Sequence, residues 1–143
     1  MPRSVTRFLW TWLPLALYTG LIFSLSSIQA IPINLSFSYA DKLLHGLEYF
    51  IFAFLLMRAL LTVLWNRTAA KTLLLCWAVV LAVAIADESY QSIVPGRDSS
   101  PWDAVADMVG AVLGSLVFYG VFGVRLRRRE ERRAQTEAGA APV

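Results

Sequence analysis

Cysteine and histidine each occur once in this 143-residue chain. The single thiol, Cys76, excludes an internal disulfide, and no zinc-type cysteine cluster can form. Charge is also scarce: Asp, Glu, Lys and Arg together make up 16% of the residues, against about 25% in an ordinary soluble domain. Apolar residues reach 57%, where about 45–50% is usual, and the mean hydropathy is +0.57. This balance indicates an integral membrane protein, and the length suits one domain. The isoelectric point near 9.4 does not mark a nucleic-acid partner. The basic residues sit at the ends of apolar runs and in the C-terminal tail, with no aromatic interleaving and no folded basic surface.

A cleavable leader is disfavoured as well. Arg3 and Arg7 precede the first apolar run, but that run is too long for a signal peptide, and no clear small-x-small cleavage site follows it. It counts instead as the first of four spans, at about residues 7–27, 41–64, 70–93 and 101–124, each with the roughly 20 apolar residues a helix needs to cross a bilayer. Short connections containing Pro, Asn, Ser and Gly join them. The expected fold is an all-α membrane protein: a four-transmembrane-helix bundle over residues 1–124, followed by a basic, disordered cytoplasmic tail over 125–143. Orientation follows from Lys and Arg. Arg3, Arg7, Arg58, Arg67, Lys71 and the tail arginines flank one side, whereas the first and third loops hold only Arg97, with Lys42 at a span mouth. Both termini are therefore expected in the cytoplasm.

The acidic residues follow a different distribution. Of ten, Glu130, Glu131 and Glu137 lie in the tail. The others are Asp41, Glu48, Asp87, Glu88, Asp98, Asp103 and Asp107, all at the outward ends of spans two, three and four or in the third loop. Asp41, His45, Glu48 and Tyr49 share one helical face, as do Asp103, Asp107, Gly110 and Gly114. Asp87, Glu88 and Gln91 occupy the last turns of span three. Pointing these stripes at one another would build an outward-facing polar, acidic pocket, with Gly110 and Gly114 allowing close helix packing. Ionisable groups inside a span are costly unless paired or wetted, so they stand out as candidate site residues.

Each candidate also has a plain structural explanation. Asp41 suits a helix N-cap, and Ser100-Pro101-x-Asp103 resembles a capping box. Asp87 and Glu88 lie where the helix dipole disfavours negative charge and nothing local stabilises them, which Arg97, His45 or Lys42 could do from across the pocket. A charge network that only locks helices together meets the same description. His45 is either a packed, hydrogen-bonded ring or a proton-transfer group, and Arg97 either pairs with Glu88 or meets an anionic head group. Trp10, Trp12, Trp65 and Trp102 flank spans as interface anchors.

Three segments carry a family resemblance: LIFSLSS, DKLLHGLEYFIFAFLL and DESYQSIVPGRDSSPWDAVADMVGAVLG. From about residue 10 to 124 the chain resembles the VanZ-like family of small bacterial membrane proteins. Asp87, Glu88, Gln91, Pro95, Arg97, Asp103, position 107 and Gly110 occur in the family's order and spacing, although many relatives have Asn where this chain has Asp107. The resemblance implies a multi-pass protein of the bacterial cytoplasmic membrane acting at the cell envelope. It also implies an accessory effect on susceptibility to the glycopeptide teicoplanin; it supplies no reaction. The expected ligand set is Asp41, Lys42, His45, Glu48, Tyr49, Asp87, Glu88, Gln91, Arg97, Asp103 and Asp107, taking a lipid-linked or cell-wall precursor ligand beside the lipid bilayer. An outer-leaflet enzyme is the alternative, using His45, Glu48, Glu88 or Asp107 for acid–base work, or a divalent cation such as Mg²⁺ or Ca²⁺ on the same oxygens. A small transporter or flippase ranks third, because the charges sit toward one side rather than at midplane. No organic cofactor is expected, and a scaffold of four spans admits oligomers.

Overall fold

The structure is a computed structural model, and it describes residues 3–28, 40–97 and 99–139. The apolar runs form helices α1 (Arg3–Ser26), α2 (Ala40–Val63), α3 (Ala69–Gln91) and α4 (Pro101–Phe118). An α-helix closes its backbone hydrogen bonds within itself, the condition a segment must meet where no water is available. Four helices are long and apolar enough to span a membrane: Val5–Ser26, Ala40–Val63, Ala69–Gln91 and Pro101–Thr136. Leu43, Leu47, Leu74, Ile85, Val109 and Leu113 point outward, as lipid-facing side chains should, while Phe52, Leu56, Met57, Leu61, Cys76, Val80 and Ala111 fill the interior.

The fourth helix runs past the expected end of its span. After Phe118 it passes through a π-helical turn, Tyr119–Gly123, into α5 (Val124–Gly139). The expectation of a disordered tail is corrected here through Gly139; residues 140–143 lie outside the described residues, as do Asp98 and residues 29–39. Low hydrophobicity argues against order for an isolated peptide, but this segment is not isolated. It extends a helix already nucleated in α4, so the costly first turn is formed before it begins. Its Arg, Glu, Gln and Ala residues are good helix formers. Glu130 also ties α5 back to the start of the chain: it is buried, pairs closely with Arg7 of α1, and lies 3.8 Å from Arg133.

The tightest contact joins α2 and α4, which run parallel. Gly110 lies against Gly46 and Gly114 against Phe50, one helical turn apart on both helices. A Cβ on Gly110 would overlap the Gly46 carbonyl and stand 2.9 Å from its Cα, and one on Gly114 would stand 3.0 Å from the Cα of Phe50. One turn further along, the same register matches Phe54 to Phe118, edge to face at 4.9 Å between ring centroids. Large rings replace glycine there, and the helices part.

Two local features fix the remaining geometry. Pro14 lies inside α1 and has no N–H to give the carbonyl of Trp10, four residues earlier. Arg58 of α2 donates to that carbonyl instead, Nη2 to O at 2.9 Å, and so docks α1 on α2. Between α3 and α4, Arg97 N–H reaches Val94 O at 3.2 Å around Pro95 and Gly96, and Gly96 adopts φ +80°. That is the left-handed conformation a type II turn requires at its third residue.

The α2–α4 contact generates a prediction. Gly110→Ala or Gly114→Ala forces the two backbones apart and lowers the stability of the detergent-solubilised protein by about 1–3 kcal/mol, the usual range for overpacking. Gly20→Ala, whose Cβ would meet nothing within 4 Å, leaves it unchanged or slightly raised. Thermal unfolding of the three variants beside the wild type reads the difference.

Candidate functional site

The close α2–α4 contact also sets what lies just beyond it, toward the helix starts. Within the two turns before Gly46 and Gly110, polar side chains of the two helices meet face to face. Lys42 Nζ donates to Asp103 Oδ1 at 2.6 Å, and His45 Nδ1 lies 3.1 Å from Asp107 Oδ1. Asp103 and Asp107 are almost wholly buried, His45 nearly so. Both acids project from α4 over the first two turns of that helix, where its dipole favours negative charge.

Ser100 caps α4, its side chain accepting from Trp102 N–H at 3.3 Å, with Pro101 at the first helical position. In a full capping box Asp103 would reach back to the Ser100 N–H. It turns to Lys42 instead, and Glu88 of α3 takes that N–H with Oε2 at 3.1 Å. The box is completed from another helix, which fixes α3 against the start of α4. Asp41 lies in the first turn of α2 and is exposed.

Asp87 is fully buried near the end of α3. Its partners are hydroxyl and amide groups: Ser26 Oγ of α1 donates to Oδ1 at 2.5 Å, and Gln91 Nε2 donates to Oδ2 at 3.0 Å. Gln91 Nε2 also reaches Ser26 Oγ at 3.3 Å. The sequence pointed to Arg97, His45 or Lys42 as the groups that hold Asp87 and Glu88. Among the described residues no ion pair from those three reaches either acid; Lys42 and His45 are paired with α4. Ser26 is a residue of this site that the helical faces of the acids do not reveal. Its signal was the serine-rich close of LIFSLSS, which places hydroxyls at the depth of the acids. Ser27 and Tyr90 meet nearby at 3.0 Å, and deeper in the bundle Trp77 Nε1 donates to Ser115 Oγ at 3.0 Å.

All four membrane helices therefore contribute to one polar end. Asp41, Lys42, His45, Glu48 and Tyr49 come from α2, Asp87, Glu88 and Gln91 from α3, Asp103 and Asp107 from α4, and Ser26 from α1. Among the described residues, several buried atoms there have no hydrogen-bond partner: Glu48 Oε1, Glu88 Oε1, Asp107 Oδ2, Tyr49 Oη and Arg97 Nε. Such atoms are rare in native interiors, because each forfeits hydrogen bonds to water. Acceptors are in the majority among them. His45, Glu88 and Asp107 each bring a ligand atom within 4.8 Å of the others, and Asp41, His45 and Asp103 do the same. Carboxylate oxygens with one imidazole suit a hard divalent cation or a ligand rich in N–H and O–H donors.

A comparison with curated proteins and one with solved structures each found no match. The model of the VanZ/LLP1 family matches residues 3–123, from the start of α1 to the end of the π-helical turn, and so takes in every residue of this polar end. The match spans most of the chain, and the protein belongs to the VanZ/LLP1 family.

Proposed function

We propose that this is a multi-pass protein of the bacterial cytoplasmic membrane that binds a lipid-linked or cell-wall precursor ligand at its polar end, and so lowers susceptibility to teicoplanin. The observation that carries this reading is the set of buried acceptors left over at Glu48, Glu88 and Asp107. A ligand presenting sugar hydroxyls or ammonium groups beside a lipid anchor supplies the missing donors, while Arg97 Nε and Tyr49 Oη meet its oxygens. Lys42, Gln91, Asp87 and Asp103 hold the surrounding side chains in place. The termini lie in the cytoplasm on this reading, in keeping with the arginines at that end of the bundle.

A second reading rests on the two ligand-competent clusters that share His45. In it Mg²⁺ or Ca²⁺ is held at the polar end, and the site performs metal-assisted or acid–base chemistry on a lipid-linked substrate.

Three outcomes are expected. Wild-type protein made in a teicoplanin-sensitive host protects it, and Glu88→Gln at a matched membrane level does not, because losing a charge-assisted hydrogen bond weakens binding by about tenfold or more. Equal protection by both removes Glu88 from the ligand site. For orientation, a membrane-impermeant maleimide labels Ser99→Cys in intact cells and Thr136→Cys only after permeabilisation, each in a Cys76→Ala background; the reverse pattern inverts the topology. For the second reading, Mg²⁺ or Ca²⁺ raises the thermal unfolding midpoint of the purified protein, and His45→Gln or Asp107→Asn abolishes that rise. A midpoint indifferent to both ions in the wild type excludes the cation.

A further inference from the structure

The opposite end of the bundle carries a second feature, independent of whatever binds among the acids. Beyond Gly114 the helices part, and a cavity of about 390 Å³ opens between α2 and the α4–α5 rod. Its floor is Phe54, Phe118 and Phe122, a cluster of rings with centroids 4.9, 5.4 and 6.1 Å apart. Its rim is Arg58, Arg125 and Arg129. We propose that this cleft is a specific site for one anionic phospholipid, with the phosphate on the three arginines and an acyl chain along the three phenylalanines.

Charge is the first support. Among the described residues no carboxylate lies within ion-pair distance of Arg58, Arg125 or Arg129. The buried acid at this end, Glu130, is occupied by Arg7 and Arg133. Three guanidinium groups converging on one cleft repel each other unless an anion sits between them. Arginine's planar fork matches phosphate oxygens in pairs.

Depth is the second. Arg58 lies about 27 Å along α2 from Ala40, and Arg125 about 36 Å along the rod from Pro101, at 1.5 Å per residue. The hydrocarbon layer is about 30 Å thick, so the rim falls near its edge, where lipid phosphates lie; Phe54 and Phe118, about 21 and 26 Å along their helices, fall inside it, and Phe122, about 32 Å along, meets the edge. Rigidity is the third. Arg58 is held by the Trp10 carbonyl that Pro14 leaves free, and the π-helical turn carries Phe122. Wide turns of this kind often mark functional positions. A free anion has no use for an aromatic floor, and a zwitterionic lipid gains little from three arginines; the combination fits an amphiphile with a net negative head. Arg129 also lines an adjoining cleft with Arg132, Arg133 and Thr136, which gives room for head-group atoms beyond the phosphate.

Native mass spectrometry of the full-length protein, purified in detergent, tests this. The wild type retains phosphatidylglycerol in preference to phosphatidylcholine, and inorganic phosphate does not displace it. Retention falls about fivefold for each cleft arginine replaced by Gln, the equivalent of about 1 kcal/mol per basic residue. The same number of charges removed outside the cleft, in Arg67→Gln, Lys71→Gln and Arg128→Gln, leaves retention unchanged. The proposal is overturned by equal retention of the two lipids, by equal loss in the outside variant, which would mean diffuse attraction to the basic end, or by displacement with phosphate alone, which would mean a free-anion site. A second measurement leaves the arginines intact: the fluorescence that Phe122→Trp adds over the wild type, whose five tryptophans give the background, is quenched more by brominated phosphatidylglycerol than by brominated phosphatidylcholine. Equal quenching overturns the proposal even if the arginine variants fail to fold.

Discussion

The backbone contact between α2 and α4 governs the rest of the molecule. Gly110 and Gly114 let α4 lie directly on the carbonyl side of Gly46 and Phe50. In a lipid environment such contact cannot rely on expelling water, and small residues that maximise van der Waals packing take over that role. Because the helices run parallel, the contact fixes register in both directions at once. Toward the helix starts it puts Lys42 opposite Asp103 and His45 opposite Asp107. Toward the other end it puts Phe54 opposite Phe118 and lets the helices separate.

The polar end is a network in which few side chains are held by one neighbour alone. Ser26, Asp87 and Gln91 join α1 to α3, and Glu88 joins α3 to the cap of α4. Hydrogen bonds in a low-dielectric setting are strong, and the same setting makes any atom left out of them costly. Full satisfaction would mark a purely structural lock. Among the described residues, the oxygens Glu48 Oε1, Glu88 Oε1 and Asp107 Oδ2 are where this network stays open.

Much of this was legible in the sequence, for identifiable reasons. Spans two and three end within two residues of where hydropathy alone placed them, because apolar length is the quantity a bilayer selects. The shared faces of Asp41, His45, Glu48 and Tyr49, and of Asp103, Asp107, Gly110 and Gly114, follow from helical periodicity. Pairing did not follow. Periodicity puts a side chain on a face but leaves its partner open, so cationic groups were the candidates for Asp87 where a serine and a glutamine serve. The role of Pro14 was equally hidden, since the freed carbonyl gains meaning only once Arg58 is known to stand beside it. The tail misled because composition describes a segment by itself, whereas its helix is inherited from α4.

That inheritance has a mechanical side. From Pro101 onward the chain is one stiff rod, with its fulcrum at Gly110 and Gly114. Arg129 lies about 22 Å beyond Gly114 along the axis, so a tilt of about 10° at the fulcrum swings it by about 4 Å. Asp103 and Asp107, on the short arm, would move the other way by less. The geometry alone makes the arms unequal: any tilt about that contact would displace the arginine end further than the acid end.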